Sequence, residues 1–316
     1  MKDNIPEIFG DKRYYSLDCY LKNTFGEKVY KIALDGGMTC PNRDGTLDTR
    51  GCIFCSAGGS GDFAAPMQSS IKEQIDLAIT GILASKQKKQ KSLSCHKFIA
   101  YFQSYTNTYA DISYLRNLFT EAIAHPSIVA LSIATRPDCL SPEVLDLLEA
   151  LNQIKPVWVE LGLQTIHEKT AAFIRRGYPL ATFDQAIKDL NTRNLSIITH
   201  LILGLPFENE SDMLASIHYV SHLPIHGIKL QLLHVLAGTD LAKQYGTFHI
   251  LTQEEYIQLI IKCLEHLPPE MVIHRLTGDG PKDSLIAPLW STKKRHVLNE
   301  IQKTLKSNNT WQGKEW

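Results

Sequence analysis

The chain has 316 residues, 44% of them hydrophobic and 21% charged, and its 33 basic and 33 acidic side chains cancel. That composition excludes wholesale disorder and a surface basic throughout, while the length allows one large α/β domain or two small ones. No apolar run approaches the ~18 residues that span a bilayer, and Met1-Lys2-Asp3-Asn4-Ile5-Pro6 has no signal-peptide core. A cytoplasmic protein without a membrane partner is therefore expected, its seven cysteines reduced and available to metal.

In chain order, residues 1–30 read as an N-terminal extension. Its tyrosines, Tyr14, Tyr15, Tyr20 and Tyr30, are interleaved with Lys12, Arg13, Lys22 and Lys28, and packing over one end of the following domain is preferred to an RNA-facing role. Six short apolar runs then read as strands, over 31–35, 98–103, 128–134, 157–164, 196–204 and 227–235. Between them, apolar residues spaced by three and four predict helices over 71–84, 115–124, 142–151, 169–175 and 183–191. Ser141 before Pro142, and Thr182 before Phe183, are the expected caps. Strand–helix alternation implies a parallel sheet with right-handed crossovers, either an open doubly wound sheet or an incomplete (β/α) barrel. Residues 31–240 would form that domain, with 241–316 as a C-terminal extension packed on it.

The most informative segment follows the first strand: Cys40-Pro-Asn-Arg-Asp-Gly-Thr-Leu-Asp-Thr-Arg-Gly-Cys52-Ile-Phe-Cys55. Three thiolates, two of them a C-x-x-C pair, suit an iron–sulfur cluster with one iron left without a protein ligand, open to bind and transform a small molecule. A zinc site normally takes four protein ligands, and no second C-x-x-C occurs. Buried thiols without metal are the third option. Cys19, Cys95, Cys139 and Cys263 are scattered and read as small buried hydrophobes, Cys139 being the one that adjoins a polar rim.

That rim lies at the C-terminal ends of the strands, where barrels place their chemistry. Gln103 and Ser104 close the second strand, Thr135 to Asp138 the third, and Glu160 and Gln164 line the fourth. His200 and Gly204 belong to the fifth, Lys229 and His234 to the sixth. A charged or amide side chain in a buried parallel strand is costly unless paired. These residues are candidate ligand contacts, and for any one of them a satisfied core hydrogen bond is the alternative.

Together the residues resemble the radical SAM superfamily, whose cysteine motif follows the first strand and carries an aromatic, here Phe54, before its last cysteine. Eleven residues separate Cys40 from Cys52 where three are usual. That spacing resembles the branch containing the radical SAM domain of the Elongator catalytic subunit and the small bacterial proteins grouped with it. Thr135 to Asp138, Glu160 to Thr165, Arg176-Gly177 and His200 to Pro206 fit the branch; His274 to Pro281 and Ala287 to Trp290 fit the bacterial subgroup. The resemblance implies a partial (β/α)6 TIM-like barrel in which the catalytic Cys40, Cys52 and Cys55 ligate a [4Fe-4S] cluster. S-adenosylmethionine would bind its open iron and be cleaved reductively to a 5′-deoxyadenosyl radical, with an electron donor such as flavodoxin or ferredoxin. Phe54, Gln103, Ser104, Thr135, Glu160, Gln164, Arg176, His200 and Gly204 are the implied cofactor contacts. Gln103-Ser104 replaces a glycine-rich segment of the relatives, and Ala134 stands where they have glutamate, with Thr135 or Arg136 as compensation.

The same resemblance implies tRNA as the partner and the C5 side chain of the wobble uridine as the target, an existing substituent such as carboxymethylaminomethyl being remodelled. Acetyl transfer is not expected, since the chain ends without room for an acetyltransferase domain. A radical SAM enzyme on a small molecule or peptide, and a zinc-stabilised RNA-binding module without catalysis, are the alternatives. Two basic runs bear on RNA: Lys86, Lys88, Lys89, Lys91 and Lys97, then Lys293, Lys294, Arg295, Lys303, Lys306 and Lys314 with Trp311 and Trp316 for stacking. Each run taken alone reads as a solvated surface.

Overall fold

The structure, a computed structural model, describes residues 5–59, 70–87, 96–278 and 280–316. Helix α1 (Leu17–Phe25) precedes strand β1 (Tyr30–Leu34). Then α2 (Ile71–Gln87) leads to β2 (Phe98–Phe102), α3 (Ile112–Ala124) to β3 (Ile128–Thr135), and α4 (Pro142–Asn152) to β4 (Val157–Gln164). Two helices, α5 (Glu168–Phe173) and α6 (Leu180–Thr192), lead to β5 (Ser196–Leu203), and α7 (Glu210–Ser221) to β6 (Gly227–Leu232). The remainder holds β7 (Val235–Leu236), α8 (Gln253–Glu265), β8 (Val272–Arg275), β9 (Leu285–Ala287) and α9 (Lys294–Ser307).

The main sheet runs β1-β2-β3-β4-β5-β6-β8 with every pairing parallel. Spatial order follows chain order without reversal, so there is no switch point of the doubly wound kind, and the sheet curls into a half-barrel. It has seven strands, one more than the six read from the sequence. The seventh, β8, comes from the segment expected to pack outside the barrel; α8 serves as its crossover and β6 as its partner. Val235, read as the end of the sixth strand, instead pairs antiparallel with Ala287 of β9, and Leu236 with Leu285. Ser141 caps α4 as expected, its Oγ accepting from Val144 N at 3.4 Å. The Thr182 cap is replaced: α6 starts at Leu180, after Pro179, with no side-chain cap, because proline before the first turn already sets the entry.

Strand alternation builds the interior from one end. Ile99, Ala130, Trp158 and Ile198 cluster with Leu21 and Val29 as an apolar floor. Helix α1 plugs that end, Tyr20 meeting Trp158 edge-on with ring centroids 6.0 Å apart, and Tyr14 and Tyr15 are buried. The N-terminal aromatics therefore pack, as read from the sequence. The segment also crosses the open side of the curl. Ser16 bridges Ile273 on β8, Ile273 N donates to Tyr15 O at 2.8 Å, and α1 then carries the chain to β1 at the opposite edge.

Lys97 also serves this end, donating to Phe25 O at 2.8 Å and pairing with Glu27 at 3.5 Å. Lys88, Lys89, Lys91 and the side chain of Lys86 lie outside the described residues, as does Cys95. Cys263 is a core residue, as expected. Trp311 packs with Phe9, Tyr15 and Val272, which removes it as a stacking platform, whereas Trp316 is half exposed beside His222. Trp158→Ala should open a cavity in the floor and lower stability by about 3–5 kcal/mol, measured by urea unfolding of the metal-free chain.

Candidate active site

The loop after β1 is held to the strand ends by its own backbone and by the α5–α6 connection. Arg43 N and Asp44 N donate to Cys40 O at 2.8 and 3.2 Å, and Cys55 N to Cys52 O at 3.0 Å. Ile53 N donates to Ile174 O at 3.2 Å. Asn42 Nδ2 donates to Arg175 O at 2.7 Å and approaches Cys52 Sγ at 3.5 Å. Arg43 Nη2 donates to Ser56 O at 2.6 Å. Gly59, at φ +56°, lies so close under the Tyr105 ring that a Cβ would stand 2.2 Å from it; only glycine meets both demands.

Cys40, Cys52 and Cys55, none of them in a disulfide, line one cavity of about 730 Å³ together with Phe54. The Cys52 thiol is brought down to about 7 by its hydrogen bond with Cys55, against burial, with the Arg136 cation adding to the effect. A thiol at that value is substantially thiolate near neutral pH, the form that binds metal. Among the described residues no three His, Cys, Asp or Glu side chains are grouped to hold one metal ion.

Above the floor lies a layer of charge. Glu160, with no exposed side-chain surface, accepts from Lys31 Nζ at 2.5 Å, from Ser132 Oγ at 2.6 Å, from His200 Nε2 at 2.7 Å and from Lys229 Nζ. Lys229 Nζ also donates to Tyr101 OH at 3.0 Å. Burial opposes ionisation of Glu160, yet Lys229, Lys31 and His200 hold its carboxyl well below the usual range. Burial, assisted by Lys229, depresses His200 to about 4, so the ring is neutral at pH 7 and uses Nε2–H on Glu160. Burial likewise brings Lys229 down to about 7, with Glu160 opposing.

Phe54, Gln103, Thr135, Glu160, Gln164, Arg176 and His200 all line the same cavity as the cysteines, as do Lys229 and His234. Two residues of the expected contact set do not. Ser104 is buried outside the lining, following Gln103, and Gly204 packs under Leu251. The expected contacts that remain differ in their freedom. Arg176 spends its guanidinium on the protein, donating to Thr165 O at 2.6 Å, Tyr178 O at 3.0 Å and Leu163 O at 3.3 Å, and pairing with Glu168 at 3.3 Å. Gln164 sits at φ +68° where the β4–β5 register shifts, and its buried Oε1 has no partner among the described residues. Thr135 shares a 2.5 Å hydrogen bond with Thr108. Arg136 grips Asp138 through two nitrogens at 2.9 and 2.7 Å and donates to Arg176 O at 2.9 Å. Cys139 lies outside the lining, its thiol pushed up to about 12 by burial and by Asp138.

Sequence reasoning missed Lys31, Tyr101 and the wall supplied by Arg275, Gly278 and Lys282. For Lys31 the available signal was a charge inside an apolar strand; for the wall it was Val272-Ile273 set between Pro268-Pro269 and Gly278.

The sequence profile of the radical SAM superfamily matches residues 49–220, and that of the radical SAM C-terminal domain residues 225–307. The chain belongs to the radical SAM superfamily. It is 44% identical to the uncharacterized protein YtqA of Bacillus subtilis (strain 168) over 317 residues, 99% of this chain and 96% of that one. Over 164 residues, 50% of this chain and 30% of the other, it is 27% identical to the tRNA uridine(34) acetyltransferase of Methanocaldococcus jannaschii. The solved structure of Methanocaldococcus infernus Elp3 with an N-terminal deletion shares the fold, with a TM-score of 0.65 at 17% identity over 90% of this chain and 64% of that one.

Membership in this radical SAM superfamily implies a [4Fe-4S] cluster and S-adenosylmethionine. The residues fit both: three thiols on one cavity wall, one of them lowered toward thiolate, face a cavity lined by Gln164, which holds an unpartnered buried acceptor. No described helix is long and apolar enough to cross a membrane.

Glu160→Gln should leave Lys31 and Lys229 without an anion and cost about 3–5 kcal/mol of stability, read by urea unfolding. Acid should destabilise the metal-free chain in a defined order. His200 takes up its proton less readily folded than unfolded, so stability should decline as pH falls from about 6.5 toward 4. The depressed Glu160 carboxyl extends the loss below the usual glutamate range. The readout is the unfolding midpoint against pH, and His200→Gln should flatten the upper limb.

Proposed function

We propose that this radical SAM protein is an enzyme that modifies tRNA at the C5 side chain of the wobble uridine, in the cytoplasm, drawing electrons from a donor such as flavodoxin or ferredoxin. The observation that carries the tRNA assignment is the similarity, across half of the chain, to a protein named for its action on uridine 34 of tRNA. The eleven-residue spacing of the first two cysteines supports the same branch. Cys40, Cys52 and Cys55 would hold the cluster, and Gln164, Gln103 and Thr135 would face S-adenosylmethionine. Bound together, cluster and S-adenosylmethionine supply a 5′-deoxyadenosyl radical, which takes hydrogen from an otherwise unreactive C–H.

The chain's own contribution is orientation and exclusion of water. Phe54 joins Ile53, Ile174, Ile202 and Leu233 in an apolar cluster beside the thiols. The floor shuts the far end, and the charged layer keeps the strand ends in place. A cavity of about 730 Å³ is of the size that encloses a cofactor and the reacting part of a substrate. Arg176 and Arg136 act by positioning: Arg176, in the α5–α6 connection, bonds Leu163 O and Thr165 O at the end of β4, and Arg136 donates to Arg176 O.

Nucleoside mass analysis of tRNA from cells lacking the protein tests the assignment. The expected result is accumulation of a wobble-uridine precursor, restored by the wild-type gene and not by a Cys55→Ala variant. An unchanged profile across growth conditions would leave a small molecule or peptide as substrate. Anaerobically purified protein should contain iron and acid-labile sulfide, and Cys52→Ala should lose both; a colourless protein holding one zinc would contradict the cluster.

A further inference from the structure

A second cleft, of about 560 Å³, lies between the N-terminal segment and α9. Lys12 and Tyr14 form one wall, and Lys294, Arg295, Gln302 and Lys306 stand on the other. Lys294 lines this cleft and the catalytic cavity alike, so the two adjoin. Four cations face one acid, Asp11, in a chain whose charges cancel overall.

Helical spacing explains the clustering. Lys294, Leu298, Gln302 and Lys306 recur every four residues and share a stripe of α9, while Val297, Ile301 and Leu305 are its buried stripe. Lys303 falls off the cleft and pairs with Glu300 at 3.5 Å. The two walls are bolted together. Gln312 Oε1 accepts from Tyr15 N at 2.9 Å, Gln312 N donates to Arg13 O at 2.9 Å, and Arg13 Nη1 donates to Asn309 Oδ1 at 3.2 Å. Lys12 Nζ sits 5.3 Å from the Tyr14 ring centroid. Both amide atoms of Gln302 are buried without a partner among the described residues, which leaves a donor and an acceptor unmet at the base of a cationic cleft.

We infer that this cleft seats phosphodiesters of the RNA substrate, flanking the nucleotide that enters the cavity. From Lys294 to Lys306 the cations span roughly 18 Å of helix, more than one anion covers and suited to a run of backbone phosphates. Turned out of its buried position into the cleft, the Gln302 amide would donate to a phosphate oxygen and accept from a sugar hydroxyl, a pairing an RNA backbone provides. The inference rests on the tRNA reading above and names the surface that reading lacks.

The test uses the full chain and tRNA purified from cells lacking the protein, with binding followed by fluorescence anisotropy over a salt series. An Arg295→Glu/Lys306→Glu double variant should bind about tenfold or more weakly near 0.1 M salt, and the slope of log affinity against log salt should become shallower by about two. Gln302→Leu should weaken binding with the slope unchanged, since no charge is lost. Lys303→Glu, on the same helix but off the cleft, should stay within about twofold of wild type. Unfolding midpoints and iron content of all variants establish that they are folded. Wild-type affinity in the double variant would overturn the cleft assignment and leave the tRNA reading standing. Failure of the wild-type chain to bind any tRNA, with an unchanged nucleoside profile, would overturn both. Variant-sensitive binding of polyglutamate in place of tRNA would make the cleft a protein-docking surface and overturn the RNA assignment.

Discussion

One carboxylate holds the half-barrel in its shape. Glu160 projects from β4 into the interior and is met by Lys31 of β1, Ser132 of β3, His200 of β5 and Lys229 of β6, while Tyr101 of β2 reaches Lys229. Each of the first six strands thus supplies one side chain to a single polar layer. In a flat sheet, β1 and β6 would stand roughly 24 Å apart at the ~4.8 Å spacing of neighbouring strands, beyond the reach of two lysines to one carboxylate. Curl, register and charge balance are therefore one condition. A one-residue slip of any of these strands would turn its polar group to the outer face and leave the rest of the layer unbalanced.

The layer also divides the interior by function. Below it the floor is apolar and plugged by α1; above it, Ala134 and Gly162 bring almost no bulk to the strand ends and the cavity opens. The space this leaves lies between the cysteine loop and the wall supplied by Arg275, Gly278 and Lys282, beside a polar layer already satisfied by its own ion pairs.

Much of this was legible in the sequence, for identifiable reasons. β2 to β6 are long enough, and apolar enough, for periodicity to register, and the cysteine stretch carries its meaning in its spacing. β8 did not register because four residues, half of them polar, give no repeat. The structure brings most of the flagged polar residues to one cavity, yet the sequence does not say where each side chain spends its hydrogen bonds. Glu160 and His200 looked like cofactor contacts for the same reason that Gln164 did, being polar groups in a buried strand. Only the geometry separates Gln164, whose carbonyl oxygen is unmatched, from Glu160, which already has four donors. Arg176 belongs with Glu160 in this respect. Lys31 passed unnoticed because a charge near the start of a strand is ordinary unless the barrel brings it opposite a carboxylate three strands away in sequence order.

The strap formed by residues 15–30 gives the curl a mechanical property that the sheet alone lacks. It is hydrogen-bonded to one edge strand through Tyr15 and Ser16 and is covalently continuous with the other edge strand. The gap between the edges at the floor is thus set by the length of one short helix. The opposite rim has a tie of its own, Leu241 N donating to Ile53 O at 2.9 Å and Ala237 N to Ser284 O at 2.7 Å, so the curl is fastened at both ends.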